Sequence, residues 1–176
     1  MGIGIQICGL NGCGKSALGK ALAAEIGFHY IDSERLYFDT ENSTTAYAAP
    51  RSREEVTQLL MQEICTYHNF VFASVRGNYG NEILSKYSYV IVIEVPKEIR
   101  LQRVRDRSFR KFGNRMLPGG DLHEAEEAFF RMVASRREDY IENWLQSVSC
   151  PILRIDGTKP IAESVQYILQ AINKLL

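Results

Sequence analysis

The chain has 176 residues, 45% of them hydrophobic and 24% charged, a composition that fits one folded domain and excludes a fibrous or disordered polymer. Lys plus Arg and Asp plus Glu both number 21, so no global field draws the chain to nucleic acid or to an anionic membrane, and any phosphate chemistry must come from local charge. No stretch approaches the roughly 20 apolar residues of a membrane helix, and the opening GIGIQIC has no basic flank of the kind a signal peptide carries, so a cytoplasmic protein is expected.

Strand and helix signals alternate along the whole chain, which predicts βαβ units: an α/β fold with a five-stranded parallel sheet flanked by helices, one domain over 1–176. The first strand is expected at about 2–8. A helix follows from Lys15 to about Ile26, with Leu18, Leu22 and Ile26 on its buried face and Gly27 ending it. A short strand at 28–31 leads into a helical insertion at 33–67 with a polar middle, ENSTTAYAAPRSREE. NFVFASV (69–75) and YSYVIVIEV (87–95) read as buried strands, the second apolar almost throughout, as a parallel strand covered on both faces must be. A basic helix at 97–112, a turn-rich loop at 113–120, a helix from Asp121 to about Gln146 with capping-box spacing to Glu124, a fifth strand in CPILRID and a last helix striped with Ile161, Val165, Ile168, Leu169 and Ile172 complete the pattern. Cys8, Cys13, Cys65 and Cys150 show no CxxC spacing or paired framework and are expected as reduced thiols. The three histidines lack metal-ligand spacing, and Trp144 is expected in the core.

GLNGCGKS, residues 9–16, matches GxxxxGK[ST] between a predicted strand and a predicted helix, which is the P-loop (Walker A) pattern. Its glycines let successive N–H groups curl around an anion, and the helix N-terminus adds positive potential. Gly9, Asn11, Gly12, Cys13, Gly14, Lys15, Ser16 and Ala17 are therefore expected to hold a nucleoside triphosphate. Lys15 would reach the β and γ phosphates and Ser16 the bridging Mg²⁺, which makes ATP and Mg the expected cofactors.

Three further segments make the chain resemble a small P-loop kinase of the nucleoside monophosphate kinase and shikimate kinase type. IDGTKPIAESV (155–165) resembles the adenylate kinase segment that lies over adenine, which implies contacts from Gly157, Thr158 and Lys159. YIDSERLY (30–37) resembles the strand end that leads into the acceptor site of cytidylate kinases. Asp32 there suits a base, a holder of a metal-bound water, or a cap for the next helix, and Arg35 suits an acceptor clamp or a solvated surface. RLQRVRDRSFRKFGNR (100–115) carries seven basic residues against one acidic one, with Arg100, Arg103, Arg107 and Arg110 on one helical face. The resemblance implies a mobile lid at 107–121 whose Arg107 and Arg110, with Arg131 on the following helix, meet the transferring phosphoryl group, while Arg103 serves the nucleotide; Arg136 is a further candidate.

ASVRGNYG departs from the resembling families, because Ser74 stands where an acidic residue is usual and Arg76 comes early. Arg76 and Gly77 are nevertheless expected at the acceptor. Tyr30, Tyr37 and Phe38 suit packing or the stacking of a base. The expected activity is transfer of the ATP γ-phosphoryl group to a small anionic acceptor, a nucleoside monophosphate first and a shikimate- or gluconate-like acid second. The other class left open is a regulatory ATP-binding protein or slow ATPase. A small-molecule partner is expected, in a monomer or homodimer; zero net charge and few interleaved aromatics argue against nucleic acid, and no membrane partner is expected.

Overall fold

Every residue of β1, Gly4–Cys8, is buried, so this strand must be covered on both faces. The structure is a computed structural model, and it describes residues 2–38 and 50–173. Chain order runs β1, α1 (Lys15–Ile26), β2 (His29–Asp32), α2 (Ser33–Tyr37), α3 (Arg53–Thr66), β3 (Phe70–Ala73), α4 (Asn81–Leu84), β4 (Tyr89–Glu94) and α5 (Lys97–Phe112). A 3₁₀ turn at Gly113–Met116, α6 (His123–Ser135), a second 3₁₀ turn at Glu138–Tyr140, α7 (Glu142–Leu145), β5 (Ile152–Asp156) and α8 (Ile161–Asn173) follow.

The five strands are parallel in the order β2-β3-β1-β4-β5, with Ile5 beside both Val71 and Tyr89. This is the predicted α/β architecture. Strand alternation sends Ile5, Ile7, Val71, Ile91 and Ile93 to one face, where Leu18 and Leu22 of α1 and Val165 and Ile168 of α8 cover them. Cys8, Phe70, Phe72, Val90 and Val92 point the other way, against Leu36, Val56, Leu60, Ile64, Ile83 and Trp144. Each fully buried Leu or Phe on these faces stabilises the fold by about 1.5–3 kcal/mol. Trp144 is a core residue, as its place in the sequence suggested.

The central position of β1 between β3 and β4 opens a crevice at the carboxyl ends of the strands, where ligands of such sheets bind. α5, the first 3₁₀ turn and α6 rise beside that crevice around a small core of their own: Val104, Met116, Phe130 and Val133. This unit contains the predicted lid segment. The segment expected as a helical insertion at 33–67 contains α2 and α3, and α3 starts on a capping box between Ser52 and Glu55; the part of its polar middle at 41–49 lies outside the described residues.

The long helix expected from Asp121 to Gln146 is broken. Asp121 is not a cap: it takes a two-pronged ion pair from Arg115 at 3.0 and 2.6 Å, and the helix begins after Leu122. It stops at Ser135, because Arg136 adopts extended backbone (φ −65°, ψ 126°) and the chain turns back toward the sheet. Hydrophobic periodicity alone continues through this break, which is why the sequence reads as one helix.

Candidate active site

The P-loop connects the central strand to α1. Gly14 is the residue before the helix, in the left-handed region (φ 98°, ψ 14°), and Lys15 is the first helical residue. Gly12 also has positive φ (85°), and a Cβ there would lie 2.2 Å from the carbonyl oxygen of Arg100. Glycine is thus required twice over at this position, by conformation and by the close approach of α5. On the far side of the loop, a Cβ on Gly157 would meet Ile93 at 2.4 Å, Val95 at 2.6 Å and the Cys13 carbonyl at 3.0 Å. The loop is held between the start of α5 and the turn from β5 to α8.

The Lys15 ammonium donates to the Leu10 carbonyl at 3.1 Å and lies 3.8 Å from the Cys13 sulfur. It therefore sits over its own loop, beside the hollow that the loop encloses. Cys13 is buried at 2% exposure as loop filling.

The four arginines expected on one face of α5 take three different positions. Arg100 is 2% exposed and pins the helix start, its Nε donating to the Val95 carbonyl at 3.0 Å and its guanidinium pairing with Glu138 at 2.6 Å. Arg103 donates to the Gly157 carbonyl at 3.0 Å, so these two sequence-predicted nucleotide contacts are adjacent. Arg107 and Arg110 are exposed toward the end of α5, Arg110 donating to the Asp106 carbonyl at 3.3 Å. Around Gly157 the turn is self-satisfied. Gly157 N–H donates to Glu94, Thr158 N–H to the Asp156 carboxylate and Lys159 N–H to the Asp156 carbonyl. Thr158 and Lys159 side chains remain exposed.

At the end of β2, Asp32 caps α2 by accepting the Glu34 N–H at 3.0 Å, and its second oxygen accepts the Tyr30 hydroxyl at 3.0 Å. Burial pushes the Tyr30 phenol above the ordinary tyrosine range, with the nearby Ser16 side chain acting in the opposite sense. Arg35 is exposed one turn into α2.

After β3 the chain is wired to the sheet centre. Gln6, fully buried, donates to the Ser74 hydroxyl at 2.8 Å, and Ser74 donates to the Arg76 carbonyl at 2.8 Å. Ser74 is thus committed to holding the loop. Gly77 packs 3.0–3.1 Å, by its would-be Cβ, from Tyr87 and Gln6, and its carbonyl accepts the Tyr87 hydroxyl at 3.1 Å.

This wiring presents Arg76 to Tyr140, whose ring centre lies 4.1 Å from the Arg76 guanidinium and 5.5 Å from that of Arg136. Arg136 also donates to the side-chain oxygen of the P-loop residue Asn11. Burial first, and the neighbouring Arg76 charge, hold the Arg136 guanidinium below the usual arginine range. Two cations share one ring, and neither is paired with a carboxylate among the described residues. Arg131 is exposed on α6, one helical stretch before Arg136. Tyr140 was not singled out in the sequence. The only sequence signal for it is the SRRED break before it, which periodicity masks.

No group of three or more His, Cys, Asp or Glu side chains converges as a metal cluster among the described residues. His29 instead pairs with Glu63 at 2.7 Å and stacks on Tyr67.

The P-loop at the sheet crevice, the lid unit and the arginines define a P-loop protein with a small-kinase-like fold. Residues 5–146 match the AAA_18 family, described as an AAA domain, and the chain belongs to that family. It is 25% identical over 177 residues to the uncharacterized protein YqaC of Bacillus subtilis, covering 96% of this chain and 97% of that one. A shikimate kinase of Thermosynechococcus vestitus is 25% identical over 118 residues, 59% of this chain and 61% of that enzyme. Among solved structures, a gluconokinase from Sinorhizobium meliloti superposes with TM-score 0.58 at 13% identity, covering 98% of this chain and 93% of that one. A shikimate kinase from Aquifex aeolicus gives TM-score 0.56 at 18% identity, covering 97% and 96%. No helix among the described residues is long and apolar enough to cross a membrane.

Proposed function

We propose that the protein transfers the γ-phosphoryl group of ATP to a small anionic acceptor. The observation that carries this reading is the position of Arg136: it joins the P-loop at Asn11 and shares Tyr140 with Arg76, so an anion site lies beside the phosphate loop. A second arginine beside Arg136 favours a second anion next to the nucleotide phosphates over a site that serves ATP alone.

The donor side fits a nucleotide and its metal. Gly12 and Gly14 hold the loop in positive-φ conformations, Lys15 lies over the loop and Ser16 follows at the helix start. Mg²⁺ held through Ser16 would neutralise charge on the bridging phosphate oxygens. Gly9, Asn11, Gly12, Cys13, Gly14 and Ala17 shape the phosphate hollow, while Lys15 stabilises charge on the β and γ phosphates. Arg103 and the 157–159 turn flank the base. Because the three turn N–H groups are donated locally, a base meets the turn through carbonyl groups and packing.

On the acceptor side, Asp32 takes the acceptor proton or holds a metal-bound water, Arg35, Arg76 and the Gly77 backbone position the anion, and Arg136 joins them. Arg107, Arg110 and Arg131 reach the transferring group once the lid unit closes, which also excludes water. A nucleoside monophosphate fits this charge pattern. The gluconokinase and shikimate kinase named above favour the second reading, a hydroxy acid whose carboxylate sits on the arginines and whose hydroxyl faces the phosphoryl group.

A panel of nucleoside monophosphates, shikimate, gluconate and related acids, added singly to protein with Mg²⁺ and ATP, tests the reading through stimulated ADP formation. At least one acceptor is expected to raise turnover well above the acceptor-free rate. ATP binding with no stimulation by any anion would favour the regulatory ATP-binding class instead.

A further inference from the structure

Parallel strands covered on both faces are built from apolar side chains, yet the middle residue of β1 is Gln6, a fully buried amide. Its Nε2 donates to the Ile7 carbonyl at 3.1 Å and to the Ser74 hydroxyl at 2.8 Å, while its side-chain oxygen has no hydrogen-bond partner among the described residues. A carbonyl only accepts, so the Ile7 contact fixes which end of the amide is nitrogen. A buried acceptor left unpaired destabilises the fold, and an apolar side chain of similar length would avoid that cost.

What the amide holds lies at the site and not in the core. Ser74 carries the connection on to the Arg76 carbonyl at 2.8 Å, and the buried Tyr87 hydroxyl donates to the next carbonyl, that of Gly77, at 3.1 Å. A Cβ on Gly77 would lie 3.1 Å from the Gln6 side chain, so the amide fills the space directly against this turn. The Arg76 guanidinium then rests on the Tyr140 ring, 4.1 Å from its centre. Neither partner of Gln6 depends on it for pairing: the Ile7 carbonyl also accepts the Ser74 N–H at 3.1 Å, and the Ser74 hydroxyl still donates to Arg76. Loss of the amide strands no polar group and frees only the setting of the turn.

We propose that Gln6 is a positioning residue for the acceptor: through Ser74 it fixes the backbone at Arg76, and with it the guanidinium that meets the acceptor anion. This rests on the phosphotransferase reading and deepens it, because the central strand that leads into the phosphate loop also sets the acceptor arginine.

The test takes the acceptor that most stimulates ADP formation and measures its KM, the KM for ATP and the thermal midpoint of the whole chain. Gln6→Met is expected to keep or raise the thermal midpoint and to keep the KM for ATP, while the acceptor KM rises about three- to tenfold, the scale of one net hydrogen bond. Ser74→Ala cuts the same connection one link later and is expected to raise the acceptor KM alike, with the Gln6→Met/Ser74→Ala double variant going no further than the larger single effect. In an Arg76→Ala background, Gln6→Met is expected to add nothing. An unchanged acceptor KM in Gln6→Met, a KM for ATP that rises in step with it, or an undiminished effect in the Arg76→Ala background overturns the proposal and leaves the phosphotransferase reading intact. A lowered thermal midpoint in Gln6→Met, with the acceptor KM of Ser74→Ala unchanged, assigns the amide to the core alone and overturns it too. A wild-type protein that no acceptor stimulates overturns both.

Discussion

Arg136 donates a hydrogen bond to the side chain of Asn11, 125 residues away in sequence, so the segment that leaves the lid unit touches the phosphate loop directly. The contact exists because α6 ends at Ser135 and the chain turns inward at Arg136.

Arg136→Ala should raise the acceptor KM by about tenfold or more, the scale of a lost hydrogen bond to a charged group, with ADP affinity changed much less. Arg107→Ala, at an exposed position of α5, should lower kcat with little change in acceptor KM if, as proposed, it meets the transferring group only on closure. Steady-state kinetics of the two variants side by side check the split.

Gly12→Ala should impair both folding and nucleotide binding. Its Cβ would sit 2.2 Å from the Arg100 carbonyl with φ at 85°, so either the loop or the start of α5 must move. A loss of about 1–3 kcal/mol of stability is expected, read as a lower denaturation midpoint together with weaker ADP binding.

Leu60→Ala, at a fully buried site where α3 packs on the sheet, should cost about 2–5 kcal/mol in unfolding free energy. Denaturant titration of the purified variant measures it.

Arg154 bridges Glu94 and Glu142, each at 2.7 Å, and its hydrogen bonds hold the Glu142 carboxyl below the ordinary glutamate value of 4.5. A depressed folded-state pKa means that this contribution is present above pH 4.5 and is lost as pH falls through the lower folded value. Solvent exposure limits it to about 1 kcal/mol or less. Arg154→Met should therefore lower the thermal midpoint slightly at pH 7 and flatten the fall in stability between pH 5 and more acid conditions, as thermal scans across pH would record.

The sheet, the P-loop and α1 were legible because their signals are local: apolar strands, a fixed glycine spacing and a helix from Lys15 ended by Gly27. The capping of α2 by Asp32 was legible from its position before Ser33, whereas its bond to Tyr30 and the pairing of Arg103 with Gly157 were not. The break at Arg136 was not legible, since apolar spacing continues through it and the contact that the turned chain makes is with Asn11, far away in sequence. For the same reason Arg100 read as one of four arginines sharing a helical face, although it is buried and bonded to Val95 and Glu138. Ser74 read as a weak substitute for an acidic residue, and only the Gln6 side chain beneath it reveals its place in the loop.

Phosphoryl transfer itself is tested most directly by ³¹P NMR of a reaction containing the protein, Mg²⁺, ATP and the acceptor that most stimulates ADP formation. The account predicts a new phosphate ester or phosphoanhydride resonance growing in step with ADP, absent in Lys15→Ala and slow in Arg136→Ala. ADP accompanied only by inorganic phosphate, with every acceptor tried, would contradict it.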